Sequence, residues 1–61
     1  MGTARFEIFQ DKRDEWRWRL VAPNNETICQ SEGYTTRQSA KKGIAAVREH
    51  APAATVVDET A

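Results

Sequence analysis

The sequence has very few of the residues that form disulfides or metal sites, which commonly stabilise small domains. It holds one cysteine, Cys29, and one histidine, His50. A lone cysteine excludes a disulfide within the chain, and this scarcity of thiol and imidazole ligands argues against a structural zinc site. The sequence therefore predicts no metal and no cofactor. A single cysteine is also typical of a reducing compartment.

Long apolar runs are missing as well. No uninterrupted apolar stretch reaches eight residues, which argues against a spanning helix and a secretory signal peptide. Charge of one sign is not in excess, since nine Lys and Arg residues balance nine Asp and Glu residues. That balance argues against a general polyanion binder or a membrane-surface peptide. We therefore expect a cytoplasmic protein with no membrane partner.

The 61 residues form one domain, residues 1–61, with little stability to spare. Burial of apolar surface in a chain of this size contributes about 90 kcal/mol. Ordering the chain costs on the order of 90 kcal/mol as well, which brings the sum close to zero. Either self-association or a small, well-packed core must supply the remainder, and we expect a homodimer.

The clearest periodic pattern is the alternation over residues 15–22. It places Trp16 and Trp18 on one face and Arg17 and Arg19 on the other, as in a half-buried antiparallel strand. A tryptophan pair flanked by arginines can stack nucleic-acid bases. A helix covering the tryptophan face would instead make them core residues, which is the interpretation we favour.

The remaining elements follow from alternation, turn residues and helical spacing. A Thr-x-x-Gln capping box at Thr35 favours a helix start, and Gly43 within that helix predicts a close approach to a tryptophan.

The Pro23–Asn25 turn allows two registers. We favour the three-residue loop, which pairs Leu20 with Ile28 on the tryptophan face. The predicted elements are strands at 5–10, 15–22, 27–31 and 55–58, and a helix at 36–50.

Several segments taken together resemble a known family. They are Phe6-x-Ile8, Glu15-Trp16-Arg17-Trp18-Arg19-Leu20, Ser31-Glu32-Gly33-Tyr34, Ser39-Ala40-Lys41-Lys42-Gly43-Ile44 and Val57-Asp58. The sequence resembles the YegP-like family, small bacterial and archaeal proteins grouped as a domain of unknown function. The resemblance covers residues 5–58. It implies an α+β fold of the order β-β-β-α-β, with an antiparallel sheet and a helix on one face. It also implies a homodimer whose C-terminal strands are exchanged to form one continuous sheet.

The family supplies no established catalytic or ligand residues, so the candidate sites rest on charge and exposure. Two basic surfaces are candidates for contact with a protein partner or a nucleic acid: Arg17 and Arg19 on the sheet, and Arg37, Lys41 and Arg48 along one helix flank. A solvated surface is the alternative for both. The predicted dimer interface is Thr55, Val56 and Val57.

The functional prediction is a binding or accessory module that is not an enzyme. The single histidine, the single cysteine and the lack of a paired-carboxylate motif leave little for acid–base catalysis. The alternative is a weak nucleic-acid-binding protein that uses the basic surfaces. Cys29 is expected to be a small thiol, buried or half-buried on the third strand.

Overall fold

The computed structural model describes residues 2–60, so the ends of the predicted domain, residues 1 and 61, lie outside it. Three consecutive strands form an antiparallel sheet in the order β1-β2-β3, and one helix packs against β1 and β2. This arrangement confirms the predicted α+β class. The elements are β1 Arg5–Gln10, β2 Trp16–Val21, β3 Thr27–Gln30, α1 Arg37–His50 and a short 3-10 helix Ala51–Ala53.

The first hairpin has the register that the side-chain pattern predicts. Ile8 lies opposite Trp18, and Glu7 lies opposite Arg19. The connecting charged turn closes through Asp11, whose backbone N–H donates to Glu15 O at 2.9 Å and whose carbonyl accepts from Asp14 N at 3.0 Å. Asp14 takes a left-handed conformation with φ 62°. The period-two pattern therefore predicts β1 with its observed bounds, whereas β2 is one residue shorter at each end than the predicted 15–22 and β3 ends one residue before the predicted 27–31.

The second hairpin confirms the predicted loop and corrects the strand that follows it. Ala22 N donates to Glu26 O at 2.8 Å, and Asn25 is left-handed with φ 69°. Beyond the loop, however, Leu20 pairs with Cys29 and not with Ile28, because a β-bulge shifts the register. Cys29 therefore takes the position opposite Leu20 that is predicted for Ile28, so the predicted Leu20–Ile28 pair is wrong, and Ile28 is 60% exposed. Cys29 is also exposed and not buried or half-buried.

Helix α1 begins one residue later than its capping box predicts. The cap is Thr36, whose Oγ1 accepts a hydrogen bond from Ser39 N at 3.0 Å. The two hydroxyl groups also bond at 2.9 Å, which favours Thr36 over Thr35 because Ser39 lies three residues after Thr36. The helix ends at His50, as the following Pro52 predicts.

The core is small and centres on Trp18, which is 6% exposed. Phe6 meets the Trp18 ring edge to face, with ring centroids 5.5 Å apart. Ala40 on the helix is fully buried, and Val21 is 3% exposed although it lies on the arginine-bearing face. The tryptophan face is therefore the core face, and Trp18 is not a platform for stacking bases.

Gly43 lies where the helix comes closest to the sheet. A Cβ atom at residue 43 would lie 3.1 Å from Trp18 Nε1 and would collide with the Tyr34 hydroxyl. Tyr34 is fixed by two backbone hydrogen bonds of 2.8 Å to Trp16. The predicted close approach to a tryptophan is confirmed, and Tyr34 is a second neighbour that the sequence pattern does not reveal.

The C-terminal segment forms no strand in the structure. Residues 54–60 follow the 3-10 helix without regular secondary structure, and all of them are exposed. The predicted strand at 55–58 is therefore absent from this single chain, because an extended segment becomes a strand only when it pairs with a sheet edge. The sheet has three strands in residues 2–60, where the sequence predicts four.

Candidate functional site

The arginines of the sheet lie on the face opposite the helix, where Glu7 links two of them. Arg5 Nε and Arg19 Nε each lie 2.7 Å from a different oxygen of the Glu7 carboxylate. The Arg19 guanidinium also lies over the Phe9 ring, 4.8 Å from its centroid. Hydrogen bonds, first from Arg19 and then from Arg5, lower the pKa of Glu7 below its usual value. Glu7 and Arg19 therefore form an ion pair that joins β1 to β2.

Arg17 is held by groups on both sides of its strand. Its Nε donates to Asp11 Oδ2 at 2.6 Å, and its Nη1 donates to the Ser31 carbonyl at 3.1 Å. Glu15 lies 3.8 Å from Nη2. The hydrogen bond from Arg17 is the main cause that lowers the pKa of Asp11, and the same bond raises the pKa of Arg17. Arg17 therefore joins the first turn to the chain segment after β3.

These contacts decide how much charge the sheet offers to a ligand. Arg5, Arg17 and Arg19 are each within salt-bridge distance of at least one carboxylate. Binding a phosphate through Arg17 or Arg19 would require that these existing pairs be broken or shared. On the sheet face, each arginine charge is therefore balanced by a neighbouring carboxylate.

The helix flank is different, because its cations have no such partners. Arg37, Lys41 and Arg48 are exposed, and none forms a salt bridge with a described residue. Their spacings of four and seven residues place them along one side of α1. The structure thus separates the two predicted basic surfaces: the sheet arginines are paired, and the flank is free.

The predicted interface residues stand apart from the rest of the fold. Val56 is 96% exposed and Val57 is 72% exposed, and Thr55 beside them is exposed too. The only other large hydrophobic side chain with comparable exposure in residues 2–60 is Ile28 on β3. A pair of exposed valines in a segment without secondary structure is a typical surface for association with a second chain.

Two structural residues were missed by the sequence interpretation. Ser31 is buried at 9% exposure, and its Oγ accepts from Trp18 N at 2.9 Å while it donates to Glu32 O at 2.8 Å. Asp11 accepts backbone hydrogen bonds from Arg13 and Glu15 in addition to its bond with Arg17. An Asp at the start of a charged turn is a local signal for such bonds, whereas the long-range role of Ser31 leaves no local pattern.

The structure offers no enclosed site for a small molecule or a metal. Residues 2–60 enclose no cavity, and within that range no group of three or more His, Cys, Asp or Glu side chains converges to hold a metal ion. Cys29 lies exposed on β3. The longest helix of the described chain, α1, has 14 residues, and no described helix is long and apolar enough to cross a membrane.

Comparison with known proteins identifies the family. A model of the domain of unknown function DUF1508 matches residues 11–58. The UPF0339 protein Atu5359 of Agrobacterium fabrum is 39% identical over 56 residues, which cover 92% of this chain and 90% of that protein. The chain belongs to the YegP-like family. The family description and the name of this relative state no enzymatic activity.

Two further comparisons concern a longer relative and a solved structure. The UPF0339 protein YegP of Escherichia coli is 47% identical over 47 residues, which are 77% of this chain but only 43% of YegP. The solution structure of a protein from Haloferax volcanii superimposes with a TM-score of 0.86 at 44% identity. That superposition covers 95% of this chain and 98% of the Haloferax chain, so the YegP-like fold described above is shared over nearly its full length.

Proposed function

We propose that this YegP-like chain is a cytoplasmic homodimeric binding module without catalytic activity, in which each copy adds its C-terminal segment to the sheet of the other. The observation that carries the proposal is the exposure of Val56 and Val57 in a segment that has no regular secondary structure. Family resemblance supports the same arrangement, since it implies exchanged C-terminal strands.

The total surface area supports association with a second chain. The accessible surface is 5174 Å², whereas a compact monomer of 6.9 kDa exposes about 4,000 Å². The radius of gyration is 13.3 Å, compared with about 10.5 Å for a compact domain of this length. A standard interface buries about 800 Å² on each partner, which is less than the excess. The chain therefore has enough surplus surface for a stable dimer.

The edge strand β3 is the place where the partner's segment fits best. Helix α1 contacts β1 and β2 but not β3, and all four residues of β3 are exposed. Ile28 supplies an apolar side chain there, at 60% exposure. Pairing of residues 55–58 with β3 of the other copy would satisfy the backbone groups of both segments and bury Ile28 with the valines.

The test is the solution mass of two matched variants, measured by light scattering. Val56→Glu with Val57→Glu introduces two charges into the proposed interface. The control, Ala45→Glu with Ala46→Glu, introduces the same two charges at exposed positions of α1. We expect the unmodified chain and the control to have twice the 6.9 kDa chain mass and the tail variant to be monomeric. A monomeric unmodified chain at every concentration would contradict the proposal.

A further inference from the structure

The cations of this chain fall into a paired set and an unpaired set. Of the nine Lys and Arg residues, the three on the sheet, Arg5, Arg17 and Arg19, lie beside carboxylates. Four others belong to helix α1, and in residues 2–60 no carboxylate oxygen lies within 4.0 Å of their charged groups. These four are Arg37, Lys41, Lys42 and Arg48.

Three of the unpaired cations form a row, which we call the α1 row and define as Arg37, Lys41 and Arg48. At about 100° and 1.5 Å per residue, they lie within an arc of about 40° and extend over about 17 Å. Lys42 lies about a third of a turn away from the row. Although the chain as a whole has no net charge, the α1 row is therefore a local, linear array of positive charge on one side of the helix.

Helix stability accounts for only one end of the row, because the partial negative charge of the last turn favours Arg48 but nothing of that kind favours Arg37. The amino end of a helix carries partial positive charge, so acidic side chains stabilise the first turn. Here the first turn has no acidic residue and begins with Arg37. The helix has a single acidic residue, Glu49, whose carboxylate lies 3.4 Å from His50. Such departures from a local stability rule are expected at functional positions.

We propose that the α1 row binds the sugar–phosphate backbone of a nucleic acid without reading its base sequence. Successive cations along the row are about 6 Å and 10 Å apart along the helix axis, too far to share one small anion. A polymer with a phosphate every few ångströms meets all three at once. Backbone contacts of this kind carry no sequence information.

The surroundings of the row favour backbone contact over base stacking. Trp18 is buried beneath the helix at 6% exposure, and Tyr34 lies under Gly43, so neither can receive a base. This inference rests on the proposed function in one respect, because it names a ligand for the proposed binding module. The row lies within one chain, so contact with a phosphate backbone does not require the dimer.

The experiment is fluorescence anisotropy with a labelled thymidine oligonucleotide of about 30 nucleotides and a duplex of similar length. Three phosphate contacts predict that raising salt from about 50 to 200 mM weakens binding roughly 20- to 40-fold. Lys41→Glu with Arg48→Glu is expected to weaken low-salt binding at least tenfold. The control, Lys12→Glu with Arg13→Glu, makes the same charge change in an exposed turn and is expected to shift affinity less than twofold.

Three results would overturn the inference. They are the absence of binding to either probe at low salt, equal losses in the two charge-reversed variants, and equal competition by a polyglutamate peptide, which would indicate an acidic protein partner. Circular dichroism of each variant confirms that it is folded.

Light scattering on the same samples separates this inference from the proposed dimer. A dimer that does not bind either probe contradicts the α1 row alone. A monomer whose binding still depends on the α1 row contradicts the dimer alone.

Discussion

Arg17 Nε donates a 2.6 Å hydrogen bond to Asp11 Oδ2, and this contact connects strand β2 to the turn that precedes it. The same guanidinium reaches the Ser31 carbonyl at 3.1 Å. Side-chain exposures of 30% for Arg17 and 19% for Asp11 show that the pair is partly shielded from water. We therefore assign Arg17 a structural role in the sheet, although its residue type and position suggest a ligand contact.

Replacement of Arg17 should lower stability more than replacement of an unpaired surface cation. Arg17→Ala removes the guanidinium that donates hydrogen bonds to the Asp11 carboxylate and to the Ser31 carbonyl. Lys12→Ala removes a positive charge from the neighbouring turn, where Lys12 forms no salt bridge with the described residues, and is the control. Urea unfolding followed by tryptophan fluorescence should give a lower midpoint for Arg17→Ala than for the control. Equal midpoints would show that the pair contributes nothing.

Acid should weaken the fold through Glu7 and Asp11. Arginine hydrogen bonds lower the pKa of both carboxyls, from ordinary values of 4.5 and 3.8. A carboxyl whose pKa is lowered by folding contributes stability above its unfolded value, and that contribution is lost as the pH falls through the folded value. The free energy of unfolding should therefore be level near pH 7 and decrease progressively below about pH 4.5.

The same carboxyls can be tested by making them unable to ionise. Glu7→Gln with Asp11→Asn should be less stable at neutral pH and should lose less stability on acidification than the unmodified chain. Glu26→Gln, at an exposed position of the second loop, is the control and should leave the acid dependence unchanged. The account is wrong if the double variant and the unmodified chain lose stability in parallel between neutral and acidic pH.

Substitution of Gly43 should destabilise the protein although it improves helix propensity. Replacing a helical glycine by alanine normally stabilises by up to about 1 kcal/mol. At this position a Cβ would collide with the Tyr34 hydroxyl and lie 3.1 Å from Trp18 Nε1. We expect Gly43→Val to lower the free energy of unfolding by about 1–3 kcal/mol, as overpacking does in other cores.

A second substitution identifies the group responsible for that loss. Tyr34→Phe removes the hydroxyl nearest to residue 43, so the Gly43→Val loss should be smaller in a Tyr34→Phe background. Thermal unfolding of the four members of this cycle measures the difference. A Gly43→Val protein that melts at or above the temperature of the unmodified chain would refute the close approach.

Ile28 should matter for association and not for folding of the single chain. At 60% exposure it buries little within its own chain, so Ile28→Thr should change the stability of a monomeric background by less than about 0.5 kcal/mol. If the partner's valines cover it, the same substitution removes on the order of 1 kcal/mol from association. Because the exchange repeats this contact in both halves of the dimer, the loss occurs twice, and we expect the dimer dissociation constant, measured by analytical ultracentrifugation, to rise about 30-fold. An unchanged dissociation constant would place the interface elsewhere.

The sequence predicts the parts of the fold that repeat or are local. Alternation around Trp18 predicts the Glu7–Arg19 pairing, and turn residues predict the loop that joins Ala22 to Glu26. The helix end follows from Pro52. Each of these depends on neighbours in sequence or on one strand pair, where side-chain period and backbone preference decide the outcome.

Other features depend on contacts between distant segments, and these the sequence does not reveal. A single bulge between Leu20 and Val21 moves Ile28 out of its expected register, and no residue type marks that bulge in advance. The hydrogen bond from Arg17 to Asp11 depends on the closed first turn, which brings the two side chains together. The two basic surfaces therefore have similar residue types in the sequence, but only the α1 row is free of salt bridges in the described chain.

The most direct test of the central claim uses copies with different isotope labels. Carbon-13-labelled and unlabelled chains are unfolded together, refolded and examined for contacts between labelled and unlabelled protons. Exchange of the C-terminal segments predicts contacts between the methyl groups of Val56 and Val57 in one copy and the Ile28 side chain of the other. Observation of the valine contacts only within one copy, or of no contacts between copies, would contradict the exchange.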